Sequence, residues 1–390
     1  MKKGFLIILI LLLSAADSFA CTTVIVSAKA SATGRPLLWK QRDTPNEFNV
    51  MDHRIGRLYS FTAIFNSNDL RRENAYCGAN DMGFAIVNNL SYNLRPDSLG
   101  LVTVAGKLMT EALGECVTVG DFENLILSKG KPNGLSTNFG VIDAFGGAAY
   151  FEVWDYGCKR YDVTEGYMCR TNYSFSGRLG KGRGYARYMT ADYLLSRQVN
   201  KGIGPEWLLE HLGRSFFNVL TGEDRLKSVP RDGRMALDID YIPRTTTVSS
   251  VVIEGVGEGE AHDVSVLWTA IGYTPCSYAV PVWVAAKDEM PSFVRASSNG
   301  NASACELANC LKHRVHPCAF ESGESYIDIR LLSKDILPLV RKAEKTEFSI
   351  SLGLDRSFRR DGFDKALVES YDALAEERFL SFQNKVKAYE

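Results

Sequence analysis

Beyond its first twenty residues the chain has no apolar run approaching the roughly 18 residues that a membrane-spanning helix needs, so no integral membrane segment is expected. It also lacks an excess of either charge. A formal net charge of -1 gives no field that would draw nucleic acid or an anionic membrane. Histidine is scarce and scattered: His53, His211, His262, His313 and His316 include no pair that motivates a Cys-His dyad. There are no repeats, no low-complexity tract and no long linker, which argues against an array or a string of domains. What remains, 45% hydrophobic and 23% charged, is the composition of an ordinary globular enzyme with ample length for a large core.

The first twenty residues are different. Lys2 and Lys3 precede an unbroken apolar run from Phe5 to Leu13, and Ser18-Phe19-Ala20 places small residues at minus three and minus one of a cleavage point. That is the pattern of a secretory signal peptide, residues 1–20, of bacterial character. It implies an exported protein, periplasmic or secreted, whose mature chain begins at Cys21. Of the nine cysteines, the other eight are Cys77, Cys116, Cys158, Cys169, Cys276, Cys305, Cys310 and Cys318. An even number in an exported chain points to disulfides, with the pairing left open.

Strand and helix signals alternate in blocks. "CTTVIVSA" is β-branched and apolar, "KASATGRP" carries turn residues, and "LLWKQRD" reads as a second strand. Residues 21 and 43 are equidistant from the turn at 32, so a simple hairpin returns Asp43 to the side of Cys21. "NAYCGANDMGFAIVNNLSYN" reads as turn, strand and polar loop. Leu101 to Leu113 and Val119 to Leu127 have helical periodicity, and "FGVIDAFGGAAYFEVWDYGCKRYDV" reads as three short strands. "ARYMTADYLLSR" and "PEWLLEHLGRSFFNVL" are expected helices, "TTTVSSVVIEGV", "VSVLWTAI" and "SYAVPVWVAA" late strands. Two helices, near Ser333 to Lys345 and Asp361 to Tyr389, close the chain. The order suggests an α+β protein of packed sheets with helices outside. The expected organisation is one domain, residues 21–390, with a helical C-terminal extension from about 330.

A mature N-terminal cysteine carries a thiol and a free α-amino group on one residue. The amino group, with an unperturbed pKa of roughly 7.7–8.0, can serve as a base near neutral pH without special burial. The thiol, which ordinarily titrates at about 8.5, needs only a modest push to become a nucleophile. Base and nucleophile thus come preassembled. Asp43, beside them, could hold the ammonium after proton transfer.

The stretch "CTTVIVSAKASATGRPLLWKQRDT" resembles the start of the N-terminal-nucleophile (Ntn) cysteine hydrolases, the branch of choloylglycine hydrolase, penicillin V acylase, acid ceramidase and isopenicillin N acyltransferase-like proteins. The similarity spans about Cys21 to Ala285. It implies a four-layer αββα sandwich of two antiparallel sheets flanked by helices, needing no cofactor, that cleaves a linear amide C–N bond through an S-acyl-enzyme on Cys21. The family's Asp matches Asp43. Its Arg, three residues earlier, matches Lys40, a departure that matters because Lys and Arg are not interchangeable at a bidentate site. Arg42 is the other carrier of that charge. By strand alternation Lys40 and Arg42 share one face and Asp43 the other, so only a twist or bulge lets both reach Cys21. "GANDMGFAIVNNL" resembles the family's strand ending in a site Asn, which selects Asn88 with Asn89 as neighbour. "CRTNYSFSG" resembles the Thr-Asn segment and nominates Asn172 as a second polar group at the scissile amide. "GRGYARYMTADYLL" resembles the arginine at a helix start, Arg187 with Arg183 as the alternative. In the implied reaction Asn172, Asn88 and a backbone amide hold the oxyanion.

Cys305, Cys310, His313, His316 and Cys318 fit no familiar zinc spacing, and no metal site is expected. The expected partner is a small N-acyl amide, with an oligomer left open, and the outcome is hydrolysis or acyl transfer. Two other readings stand beside it: a dipeptidase of the related N-terminal-Cys class, and a non-catalytic binding protein anchored by lipid on the Cys21 sulfur.

Overall fold

The Cys21 segment does form a hairpin. Strand β1 (Thr22–Val26) pairs antiparallel with β2 (Leu37–Asp43), and the turn between them uses Gly34 at a φ of +73°, a conformation that favours glycine. The computed structural model describes residues 20–95, 104–228, 235–317 and 325–389. The proposed signal peptide, apart from Ala20, and Cys318 lie outside the described residues, as do the first residues of the helix expected from Leu101.

The chain continues through β3 (Asn49–Ile55), β4 (Ser60–Asn66), β5 (Cys77–Asn80), β6 (Ala85–Leu90), α1 (Ala105–Glu115), α2 (Val119–Ser128), β7 (Ser136–Ile142), β8 (Ala148–Trp154), β9 (Gly157–Asp162), β10 (Tyr167–Arg170) and α3 (Tyr185–Gln198). Then come α4 (Pro205–Trp207), a ribbon of β11 (Phe217–Asn218) and β12 (Glu223–Asp224), β13 (Met235–Leu237), β14 (Thr247–Glu254), β15 (Val266–Ile271) and β16 (Val280–Trp283). The described chain ends with α5 (Ser303–Val315), β17 (Tyr326–Asp328) paired to β13, α6 (Leu337–Asp361) and α7 (Lys365–Val386).

Two antiparallel sheets result, in the orders β10-β1-β2-β14-β15-β16 and β3-β4-β5-β6-β7-β8-β9. They pack face to face through β1 and β2 on one side and β6 and β7 on the other. Helices cover the outer faces. α1 lies on β4 to β6, and Phe122 of α2 stacks edge-on against Phe139 and Phe151 of β7 and β8. Against the other sheet lie α3, α5 and α6, with α7 outside α6. This is the expected four-layer αββα sandwich. It explains why β1, β2, β7, β14 and β15 are buried along their whole length, polar residues such as Lys40, Gln41 and Arg42 included: each strand is covered on both faces. Where a strand lies at an edge the sequence changes, to Lys159 and Arg160 in β9 and Pro281 in β16.

Three expectations are corrected. The "NAYCGANDMGFAIVNNL" stretch is a hairpin of two strands, because Gly83 (φ +77°) and the Asn80 side chain, which accepts from the Met82 and Phe84 amides, build a turn inside it. The helix expected through Leu220 ends at Leu212. There Gly213 closes against Leu208, Gln41 grips the Gly213 carbonyl, and Arg214 turns inward to Glu344. Finally, the disulfides are not there among the described residues: Cys21, Cys77, Cys116, Cys158, Cys169, Cys276, Cys305 and Cys310 are all free thiols. Most are buried, acting as small hydrophobes in strands and helices. Burial pushes the Cys77 and Cys305 thiols up to about 11 and Cys116 up to about 12, which keeps them neutral.

Candidate active site

The register of the hairpin sets the site. Thr22 pairs with Gln41, so one step further Cys21 faces Arg42, and Asp43 lies one residue beyond the symmetric prediction. A bulge compensates. The β14 pairing slips between Thr247 and Ser249, opposite Asp43 and Arg42. The Asp43 carbonyl then sits 4.0 Å from the Cys21 sulfur, and the Asp43 carboxylate turns to the β14 side, where Oδ1 accepts from the Thr247 hydroxyl at 2.6 Å. The other oxygen, Oδ2, is buried with no partner among the described residues. Burial pushes the Asp43 carboxyl up to about 7, against the pull of Arg187 and Arg244.

The nitrogen of Cys21 donates to Asn172 Oδ1 at 3.0 Å. That oxygen also accepts from Arg187 Nη2 at 2.8 Å, while Asn172 Nδ2 donates to the Leu90 carbonyl at 2.9 Å. The Asn172 oxygen is thus shared by the Cys21 nitrogen and Arg187, while Leu90 takes one of the two Nδ2 protons. Arg187, fully buried on the first turn of α3, also donates to the Cys21 carbonyl at 2.9 Å and to the Thr22 hydroxyl at 3.0 Å. Its charge is balanced by Asp240, whose Oδ1 lies 3.0 Å from Arg187 and 3.2 Å from Arg244. Arg183, the alternative, is exposed; its side chain lies over the Tyr92 ring, and only its backbone amide joins this group, donating to the Asn172 carbonyl at 3.2 Å.

On the opposite face of β2, Lys40 and Arg42 point between the sheets. Lys40 Nζ donates to the Tyr76 carbonyl at 2.8 Å and to Asn88 Oδ1 at 2.6 Å. Because Asn88 Oδ1 faces the ammonium, its Nδ2 is turned the other way. Asn89 is different: Thr23 donates to its Oδ1, and its Nδ2 donates to the Thr171 carbonyl, so it ties the two sheets together. Arg42 donates to Asn49 Oδ1 and Asn66 Oδ1 and lies 3.6 Å over the Tyr76 ring. Burial lowers the Lys40 ammonium below its ordinary value, with the Cys21 sulfur the largest opposing charge.

A cavity of about 270 Å³ opens on Cys21, Lys40, Arg42, Asp43, Asn88 and Asn89, and is closed by Tyr76, Leu90, Ala105 and Thr137. The sequence reading nominated the first six. It missed Thr247, Asp240, Arg244 and Tyr76, which lie in loops and strands with no motif of their own. Only the β14 register, invisible in one sequence, brings Thr247 to Asp43. No cluster of three His, Cys, Asp or Glu residues among those described is arranged to hold a metal. Of the residues weighed for zinc, Cys305 bonds the Glu47 carbonyl and His316 the Tyr273 hydroxyl. No described helix is long and apolar enough to cross a membrane.

No family model matches the chain, and no curated protein does. Solved structures do. The chain is similar to a Caenorhabditis elegans N-acylethanolamine-hydrolysing acid amidase ortholog, with a TM-score of 0.38 and 14% identity over 60% of this chain and 92% of that one. It is similar to conjugated bile acid hydrolase from Clostridium perfringens, at 0.39 and 9% over 68% and 93%. Penicillin V acylase from Agrobacterium tumefaciens follows at 0.35 and 12%, covering 67% and 86%.

Proposed function

We propose that this chain is an exported Ntn cysteine amidohydrolase or acyltransferase, matured by cleavage between Ala20 and Cys21, that cleaves a linear amide of an N-acyl substrate. Residues 21–390 act as one catalytic domain carrying the C-terminal helices. The observation that carries the reading is the setting of the Cys21 nitrogen. It sits 3.0 Å from Asn172 Oδ1, in a site that leaves the buried Asp43 Oδ2 without a partner among the described residues. A backbone amide offers one proton; an α-ammonium offers three, and a site that holds a buried acceptor to spare suits the latter.

The residues then divide the chemistry. The α-amino group takes the thiol proton, and Asn172 with Asp43 orients the ammonium that results. The thiolate attacks the amide carbon. Asn88 Nδ2 and a backbone amide receive the developing oxyanion. The C–N bond breaks as the amine takes the proton from the ammonium, leaving the acyl group on sulfur. Water, or an acceptor amine, attacks the thioester, gives its proton to the α-amino group, and restores the thiol. Arg187 fixes the Cys21 carbonyl and Asn172 together, so that nucleophile and base share one frame.

The lipid-anchored reading is less well supported, since Cys21 is 7% exposed and a diacylglyceryl thioether has no room in a cavity of about 270 Å³. The test uses the mature protein beginning at Cys21 with a panel of N-acyl amides, analysed by peptide mass spectrometry. An acyl increment on the peptide starting at Cys21, absent in Cys21→Ala and in protein retaining Ala20, is expected. Full amidase activity in Cys21→Ala would overturn the proposal.

A further inference from the structure

Lys40 and Arg42 are 2% and 3% exposed. Among the described residues neither forms an ion pair with a carboxylate; their hydrogen-bond partners are the neutral oxygens of Tyr76, Asn88, Asn49 and Asn66. Taking a cation out of water is expensive unless an anion compensates it. Elsewhere in this protein the compensation is present: the buried Arg170, Arg187 and Arg214 each contact a carboxylate. Two uncompensated cations side by side on one strand, both lining the cavity that opens on Cys21, leave a place for negative charge in that cavity.

One negative charge comes from the enzyme. A thiolate on Cys21 is the anion that most strongly supports the Lys40 ammonium, and Lys40 is already engaged with Asn88. Arg42 remains. Its guanidinium has five N–H donors, of which the two asparagines account for two. Asp43, the nearest carboxyl in sequence, points to the other face of β2 toward Thr247. The cavity, about 270 Å³, is below the roughly 300–1,000 Å³ of ordinary small-molecule sites, and the acyl group attached to the sulfur must occupy it.

Resting on the amidase reading above, we infer that the acyl half of the substrate is a short chain bearing its own carboxylate, which Arg42 receives. Lys40 serves the thiolate and positions Asn88, and the leaving amine lies outward. The substrate class is therefore the N-acyl amides of short dicarboxylic acids, not of long fatty or steroid acids.

The test compares N-glutaryl and N-pentanoyl 4-nitroanilide, which have equal carbon chains ending in a carboxylate or a methyl group, on the mature protein. The expected kcat/KM ratio favours the glutaryl compound by about ten- to a hundredfold, as a charge-assisted hydrogen bond to an arginine would give. Arg42→Gln should collapse that ratio towards one. Equal or better use of the pentanoyl compound by the unaltered protein would overturn the inference. So would faster cleavage of N-pentanoyl-glycine, which carries its carboxylate in the leaving half. A second measurement does not depend on turnover: glutarate titrated calorimetrically into the Cys21→Ala protein, alone and with Arg42→Gln added. Binding weakened at least tenfold by Arg42→Gln supports the anion site even where neither anilide is cleaved, an outcome that would remove the amidase reading alone. No binding of glutarate overturns the site. Should Arg42→Gln fail to fold, Arg42→Lys in the same background, which keeps the charge but loses the planar fork, is expected to weaken glutarate binding as well.

Discussion

Two buried arginines in this molecule lie under aromatic rings, and they differ in one respect. Arg170 stacks 3.8 Å from the Phe175 ring and is paired with Glu152 at 2.9 Å, both side chains wholly buried. Arg42 stacks 3.6 Å from the Tyr76 ring and meets only asparagine oxygens among the described residues. The first arrangement is charge-compensated, although Arg170 Nη2 has no hydrogen-bond partner among the described residues. Glu152 also accepts from the Phe175 and Ser176 amides and from the Ser176 hydroxyl, so charge, ring and loop form one unit beside β10. The second is left open on a cavity. A protein that can supply a carboxylate to one buried arginine and does not supply it to another has marked the second as a place for something else.

The sharpest way to break this contrast is to remove the compensating charge from the first site. Glu152→Gln leaves Arg170 buried without an anion and should lower unfolding stability by about 3–5 kcal/mol, the usual effect of breaking a buried pair from one side. Arg42→Gln removes a cation that had no anion, and its loss should be less than half as large. Chemical denaturation of both variants checks the pair. Equal losses would mean that the two arginines are equally structural.

A second contrast lies between adjacent residues. Asn89 is held at both ends of its amide between the sheets; Asn88 is held at one end, by Lys40. Asn88→Ala should reduce kcat by about 10²–10³, the effect of removing one oxyanion donor, with little change in unfolding midpoint. Asn89→Ala should do the reverse: a lower midpoint, as a buried bond between sheets is lost, and a kcat within a few fold. If Asn89→Ala is the variant that loses turnover, the roles are exchanged.

These neighbours also show what one sequence can carry. The hairpin was legible because "CTTVIVSA" and "LLWKQRD" flank turn residues, and the separation of Lys40 and Arg42 from Asp43 followed from strand alternation alone. Asn88 could not be told from Asn89, because a one-residue change of register exchanges the two faces of a strand. The one-residue error in placing Asp43 has the same origin: the hairpin pairs Thr22 with Gln41, one step off the symmetric register, and a slip in the β14 pairing then sets how Asp43 is turned. The helix at Pro205 was overextended because Arg214, apolar in its long stem and well suited to a helix, is claimed by Glu344 from α6. The free thiols have a similar explanation. An even count cannot say that Cys77, Cys169 and Cys305 sit in different layers of the core.

The smallest effect concerns maturation, and it separates Asp43 in two forms of one chain. With Ala20 attached, the Asp43 carboxyl is held up at about 7, whereas an unfolded aspartate titrates near 3.9. Between about pH 4 and pH 7 the unfolded chain has lost a proton that the folded chain keeps, so folded stability falls as pH rises through that window. Cleavage would create an α-ammonium on Cys21, whose sulfur lies 4.0 Å from the Asp43 carbonyl, in the site that holds the unpartnered Oδ2. That favours the ionised carboxylate, brings its pKa down and removes much of the slope. Melting temperatures of the Ala20-retaining and mature proteins should therefore diverge between pH 4 and pH 7, reaching on the order of a few degrees at the upper end. Asp43→Asn should abolish the divergence, since a neutral amide has no pKa to move, and other titrating groups such as Asp372 cancel in the difference. Parallel curves for the two forms would mean that the new amino group does not reach Asp43, and that the spare oxygen serves some other donor.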